Sequence, residues 1–329
     1  QAQTRIQLAS ALMNDQSGLK DAQQQLIKAI ELDPELFQAD YALYISYMRS
    51  KQYTEAKKVA LSLKEKQKEN SLGANLVALS YLAEGDKTQA ISELKEALTL
   101  FPADPTTSDT LARVYIQDNE LSKAKVLYLN VLEKKPENLK SMNQLALIAG
   151  KENEPEKVID WLKKAVEKNP AVISAKLILA TQYLRKNEPG LAVQLLQNVR
   201  IEDKQNPNYI LLMAKAKMGI GEYQHANRTL KSLISNKPEL SSAHFLLAQS
   251  YAYQNDNNKM RESLDNTVKY SPQHFAANLM LARLDLMENK VDNFKSRVAM
   301  LLKNFPESKD VKFLNAKIQS SEKGYDSAI

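Results

Sequence analysis

The sequence predicts an all-α chain, built as a tandem array of helix pairs, and three periodicities predict it. Proline recurs every 34 residues at Pro34, Pro102, Pro136, Pro170, Pro238, Pro272 and Pro306, missing only at Lys68 and Lys204. Alanine keeps the same period without a gap, at Ala78, Ala112, Ala146, Ala180, Ala214, Ala248, Ala282 and Ala316. A third lattice is made of helix stoppers: Gly85, Asn119, Asn153, Asn187, Gly221, Asn255 and Asn289. Tyr47, Tyr81, Tyr115, Tyr183 and Tyr251 share that period. Lattices held in one register mean a stack of identical supersecondary units.

Each lattice has a physical cause. Between the stoppers, apolar residues recur three and four apart, as in Leu76, Leu79 and Leu82, then Ile91, Leu94 and Leu98. That is the helical period, not the alternation of a strand. Gly or Asn after the first run can take the left-handed conformation that closes a helix. Proline after the second run cannot continue that helix and separates one unit from the next. The alanines mark where two helices cross too closely for a larger side chain.

Taken in order, the units start near residues 3, 37, 71, 105, 139, 173, 207, 241 and 275, forming a single domain over 3–308. The first helix of the first unit is polar and weakly patterned. The second unit opens on an aromatic cluster, Phe37, Tyr41, Tyr44 and Tyr47. The span 71–206 is the most regular. The linkers at Lys68 and at Ile201 to Asn208 depart from the proline lattice; the second reads as a loop variant, with a mild hinge as the alternative. After Pro306, residues 309–323 read as a capping helix whose outer face meets water. Residues 324–329 are expected to be frayed.

The pattern resembles the tetratricopeptide (TPR) repeat family over residues 3–308. The residues that carry the resemblance are the lattice alanines, the large residue before each (Leu43, Val77, Leu111, Leu145, Leu179, Met213, Leu247, Leu281) and the second-helix alanines Ala22, Ala56, Ala90, Ala124, Ala192 and Ala226. The family's tryptophan is absent, and its glycine is replaced by alanine. In the last units the second-helix alanine becomes Met260 and Phe294, which predicts looser or rotated packing there. The resemblance implies a right-handed α-solenoid of about nine helix-turn-helix repeats plus the capping helix. In texture the long, alanine-rich array is also similar to the TPR lipoproteins of exosortase/PEP-CTERM systems, which accompany exopolysaccharide and protein-sorting genes. That likeness implies a bacterial periplasm or cell envelope, although the lipid-bearing cysteine of such proteins is not in this sequence.

Composition narrows the chemistry. The chain has 329 residues and no cysteine, which removes disulfides and thiolate metal sites and leaves the redox compartment open. No apolar run approaches the roughly 20 residues of a membrane span. The sequence begins at Gln1 rather than Met, so a missing leader carries no meaning. A net charge of +6 is modest for this length, and Lys alternates with Glu as in Lys64-Glu65-Lys66, the pattern of a solvated helix face rather than a nucleic-acid surface. His225, His244 and His274 do not lie at metal-ligand spacing, and Gly219-Ile220-Gly221 is only a turn. His244 and Trp161 occupy packing positions. No catalytic residue, metal or cofactor is expected.

What remains is surface. The first helix of each pair is expected to line a concave groove of the kind solenoids use for binding. In the repeat frame that groove includes Tyr41, Ile45, Arg49, Asn75, Leu79, Leu82, Asp109, Arg113, Lys140, Asn143, Leu177, Arg185, Lys215, Phe245, Gln249 and Arg283. An apolar strip edged by Arg and Lys suits an extended or helical peptide; the competing reading is that part of it buries against the next unit. Asn75 and Asn143 lack the matching lysines of the TPR modules that clamp chaperone C-terminal carboxylates. The expected function is therefore a non-catalytic scaffold for a protein or peptide partner, with no nucleic acid and with self-association open. The alternatives are a carbohydrate-binding or polymer-guiding surface, suggested by the tyrosines, and a rigid spacer.

Overall fold

The computed structural model describes residues 1–322, and every regular element among them is helical. The chain divides into two compact units, one spanning Gln1–Asn169 and the other beginning at Pro170. The first holds five helix pairs: α1 (Ala2–Leu12) with α2 (Leu19–Leu32), α3 (Phe37–Arg49) with α4 (Tyr53–Lys66), α5 (Leu72–Glu84) with α6 (Lys87–Leu100), α7 (Pro105–Gln117) with α8 (Leu121–Lys134), and α9 (Leu139–Lys151) with α10 (Pro155–Lys168). The second holds four pairs and a last helix: α11 (Ile173–Arg185) with α12 (Pro189–Gln197), α13 (Pro207–Gly219) with α14 (Tyr223–Asn236), α15 (Ser241–Tyr253) with α16 (Asn257–Tyr270), α17 (Phe275–Met287) with α18 (Val291–Asn304), and α19 (Lys309–Glu322). Lys323 and the tail expected to fray lie outside the described residues.

The stopper lattice acts as its residue types require. Gly85, Asn119, Asn153, Asn187, Gly221, Asn255 and Asn289 all have positive φ, and Lys51 (φ 59°) fills the eighth lattice point. At each, the amide one residue later reaches back to close the first helix. Asp86 N bonds Tyr81 O at 2.9 Å, Glu120 N bonds Tyr115 O at 2.8 Å and Glu188 N bonds Tyr183 O at 2.8 Å. This is the six-to-one bond of a Schellman closure, made possible by one left-handed residue. Lys51 does the same work with a Cβ, at a local conformational cost of about 1–2 kcal/mol. The prolines off the lattice, Pro105, Pro155, Pro189 and Pro207, each stand in the first turn of a helix. There the missing amide is no loss.

Packing follows the alanines. Ala78, Ala112, Ala180, Ala214, Ala248 and Ala282 are at most 1% exposed, and the second-helix alanines Ala22, Ala56, Ala90, Ala124, Ala192 and Ala226 are fully buried. Leu26, Leu94, Leu162, Leu196, Leu230 and Leu264 sit one turn further along the second helices and fill the space between pairs. Each such leucine contributes roughly 1.5–3 kcal/mol. Met260 and Phe294 are buried where alanine stood in earlier repeats, each inside a core cluster. Ala316 keeps the lattice but is exposed, while Val311 and Leu314 are buried; among the described residues no second helix packs across it.

The two aberrant linkers differ in kind. Near Lys68 the chain relies on Gly73, where an added Cβ would lie 2.3 Å from Lys64 Cα and 2.5 Å from Lys64 N. Helices α4 and α5 thus touch backbone to backbone. At the second linker, α12 ends at Gln197 after nine residues, against fourteen in α10 and α14. A 3-10 turn, Glu202–Gln205, takes up the slack, braced by Arg200 Nε donating to Asp203 Oδ2 at 2.9 Å.

Two substitutions test these constraints by urea unfolding. Lys51→Gly removes the Cβ strain against glycine's larger unfolded entropy and raises stability by about 0.5–1 kcal/mol. Gly73→Ala forces α4 and α5 apart and lowers stability by about 1–3 kcal/mol.

Candidate binding face

Within each unit the first helices crowd together. The alternate helices in firm contact are α1 with α3 and α5 with α7 in the first unit, and α11 with α13 and α13 with α15 in the second; all are odd-numbered. The stack is therefore tighter on the odd-helix side, as an inner face must be. The capping that orients these helices is local: Asp104 accepts from Thr107 N at 2.9 Å at the start of α7, and Asn138 accepts from Ser141 N at 2.8 Å at the start of α9.

The sequence frame places most of its residues on the odd helices' outer surface, and tertiary contacts then sort them. In the first unit Tyr41, Arg49, Leu79, Arg113 and Lys140 are exposed, while Ile45, Leu82 and Asn143 are half-buried. In the second, Arg185, Lys215 and Arg283 are exposed, while Leu177, Phe245 and Gln249 are half-buried. Asn75 and Asp109 are at 2% and 5% exposure and offer nothing to a ligand. Asn75 donates to Ser71 O at 2.9 Å and to Thr107 Oγ1 at 2.6 Å, tying α5 to α7. Asp109 accepts from Tyr128 Oη at 3.0 Å and pairs with Lys140 Nζ at 2.8 Å, joining α7, α8 and α9. Thr107 and Lys140 come from the following repeat and Tyr128 from the second helix of Asp109's own, so the pattern of one helix cannot show these contacts.

The cations divide in the same way. Arg49 donates to Met13 O and Arg283 pairs with Asp310 at 2.7 Å, so both are committed to neighbouring helices. Arg113, Arg185 and Lys215 have no ion pair among the described residues. Beside Arg113 stand exposed Leu79 (37%) and Leu147 (48%), and Ile178 (38%) is exposed on α11 near Arg185. Ile178 is not in the sequence frame. Its repeat position holds Leu76 and Leu212 elsewhere, and nothing but exposure separates it from those.

Electrostatic perturbations are structural. Burial, then the adjacent Asp109 carboxylate, push the Tyr128 hydroxyl pKa up. At Asp104 burial raises the carboxyl pKa, but hydrogen bonds from the Thr107 amide, the Thr107 hydroxyl and the Ser71 hydroxyl outweigh it, and the net shift is downward. His244 is buried with Nε2 2.8 Å from Pro238 O, His274 Nδ1 caps α17 by accepting from Ala277 N at 3.2 Å, and Trp161 packs partly buried against the core under Lys164. Among the described residues no group of three or more His, Asp or Glu side chains gathers as a metal site. No described helix is long and apolar enough to cross a membrane.

Because Asp104 titrates lower folded than unfolded, its contribution is complete at neutral pH and is lost as pH falls below the unfolded value of about 4. Asp104→Ala is expected to lower stability at pH 7 by about 1 kcal/mol, with the gap to the native chain narrowing toward pH 2–3 in a urea series.

Residues 81–147 match the model of the tetratricopeptide repeat. A search of the curated proteins finds no match. Among solved structures, a tetratricopeptide repeat protein from Parabacteroides merdae superposes with a TM-score of 0.55 at 17% identity, covering 72% of this chain and 94% of its own. The pilF protein of Pseudomonas aeruginosa gives a TM-score of 0.50 at 16% identity, over 69% of this chain and 99% of its own. The TPR fold generally mediates protein–protein interaction, in non-catalytic scaffolds. Helix pairs closed by left-handed turns, a family match over residues 81–147 and these structural neighbours together identify the architecture as an α-solenoid of tetratricopeptide repeats.

Proposed function

We propose that this protein is a non-catalytic scaffold that binds a peptide or protein segment along the outer surface of its odd-numbered helices. The observation that carries the reading is the juxtaposition on that face of exposed aliphatic residues with unpaired cations: Leu79 and Leu147 with Arg113 in the first unit, and Ile178 with Arg185 and Lys215 in the second. Aliphatic side chains beside fixed positive charge favour an amphipathic segment with acidic residues flanking its apolar anchors. The texture of the array, long and alanine-rich, supports a place in a bacterial envelope assembly of the exopolysaccharide or protein-sorting kind.

The carbohydrate reading needs exposed rings. Tyr115, Tyr183 and Tyr251 are buried at 6–8% exposure, and among the described residues the strongly exposed tyrosines are Tyr41, Tyr253 and Tyr270. Of these Tyr253 stacks on Tyr223 with ring centroids 5.7 Å apart. That leaves no continuous aromatic platform for a sugar.

The test is affinity capture from bacterial envelope extract by the native chain and by Leu79→Glu/Arg113→Glu/Arg185→Glu, with circular dichroism confirming equal helicity. A partner retained by the native chain, lost at least tenfold by the variant and cross-linked to α5 or α11 is the expected result. Equal capture by both proteins removes this face from the function.

A further inference from the structure

The repeat frame allows one cleft to be compared with itself three repeats away. In the first unit α6 and α8 diverge over α7 and leave a cleft of about 370 Å³, lined among others by Lys95, Leu98, Leu111, Tyr115, Val126 and Leu127. Advancing each position by 102 residues gives Gln197, Arg200, Met213, Lys217, Arg228 and Thr229. Five of these six, all but Arg200, line a cleft of about 980 Å³ between α12 and α14 over α13. Among them, Lys217 and Thr229 bring the lining that the first unit gives to Tyr115 and Leu127 over to polar groups.

The enlargement has a visible cause. Helix α12 stops at Gln197, so the turn that carries Leu98 in the first unit is missing here. Arg200, its counterpart, is drawn off to Glu202 and Asp203 in the 3-10 turn. What is left has an aliphatic floor, Ile210, Met213 and Leu233, and a rim bearing Lys204, Arg228 and Lys237. No carboxylate lines it. Lys217 is only 8% exposed and its charge is already met by Glu222, whose Oε2 lies 2.8 Å away. Lys204, Arg228 and Lys237 are exposed, and no ion pair holds them among the described residues. By contrast, cations elsewhere on the second helices are paired: Lys57 with Glu84, Lys125 with Glu152 and Arg261 with Glu288.

We propose that the cleft between α12 and α14 is a second binding site, on the even-helix side, for a short acidic peptide segment that seats an apolar side chain on the Ile210–Met213–Leu233 floor. A cleft of this volume lies within the range of ligand sites, which pair an apolar lining with a few placed polar groups. Charge complementarity sets the sign of the partner: unpaired cations over a low-dielectric floor attract carboxylates and penalise a basic segment. Single-stranded nucleic acid would use the cations but also needs open ring faces for its bases. The one aromatic carbocycle here, Tyr209, is 7% exposed, so peptide carboxylates suit the site better.

The test uses the whole chain and three fluorescein-labelled degenerate peptide libraries. All share two central Leu or Phe positions, flanked by Asp/Glu, by Ser/Gly or by Lys/Arg, and binding is read by anisotropy at low and high salt. Two variants accompany the native protein. Arg228→Glu/Lys237→Glu reverses the rim at exposed positions. Lys217→Tyr/Arg228→Val restores the residues that the first unit carries at the same places, so it should fold without strain. The expected result is retention of the acidic library at least tenfold above the other two, weakened by salt, abolished by the reversal and reduced by the restoration. Arg113→Glu/Arg185→Glu, on the odd-helix side, leaves it unchanged, which separates this site from the binding face proposed above. Equal retention of the neutral library overturns the proposal, as does acidic binding that survives the reversal. Displacement of the acidic library by a single-stranded oligonucleotide at lower concentration than by unlabelled peptide overturns it in favour of nucleic acid.

Discussion

Eight of the nine helix pairs among the described residues depend on one residue that accepts a left-handed backbone; the first pair, α1 with α2, turns without one. With that residue in place, the next amide can reach back across the helix end, the chain reverses within three residues, and the two helices meet at their alanines. Gly and Asn supply the conformation at most lattice points and Lys51 does so under strain. The close approach that follows leaves no room for a Cβ at Gly73 and only a methyl group at the alanine positions. Turn geometry and interhelical distance are thus one constraint, which is why their lattices share a period.

Apolar packing stacks the pairs, and buried polar contacts fix how each meets the next. Leucines and alanines are tolerant of small slips; a hydrogen bond is not. Tyr44 Oη donates to Leu76 O at 3.1 Å across one junction, and Asn75 reaches Thr107 across the following one. Near the end of the second unit Asp285, wholly buried, is held by Arg261 Nη1 at 2.8 Å and Arg297 Nε at 3.2 Å, while Arg297 Nη1 also reaches Asn278 Oδ1 at 2.8 Å. A group buried this deeply is tolerated only because both its oxygens face a guanidinium. The surface pairs, such as Lys58 with Glu55 at 2.9 Å, lie largely in water and add at most about 1 kcal/mol each.

Function in such an array comes from departures at single lattice points. The tyrosine position shows it: Tyr47, Tyr81, Tyr115, Tyr183 and Tyr251 pack, whereas Ala149, Lys217 and Asp285 occupy the same place in other repeats. Ala149 thins the core, Asp285 organises an ion network, and Lys217 turns the wall of a cleft polar. The scaffold tolerates all three because each repeat leans mainly on its neighbours, so a change of chemistry stays local.

The sequence by itself determined the helical class, the pairing of the helices, the turn residues and the alanine crossings, because these rest on contacts within about 34 residues and recur in every copy. It also placed Arg113, Arg185, Lys215 and Leu79 on an exposed face, since helical period alone assigns a face. Tertiary structure decided the rest. Asn75 and Asp109 turn inward because Thr107, Tyr128 and Lys140 come from other helices to meet them. Arg49 and Arg283 are taken up by neighbours in adjacent repeats. Ala316 keeps its lattice place yet is exposed, with no helix crossing it among the described residues. The early end of α12, which opens the cleft beside α14, is hidden in a linker that reads only as a missing proline. Thr107, Lys140, Met13 and Asp310 all lie outside the repeat that contains the residue they meet, where a periodic pattern carries no information.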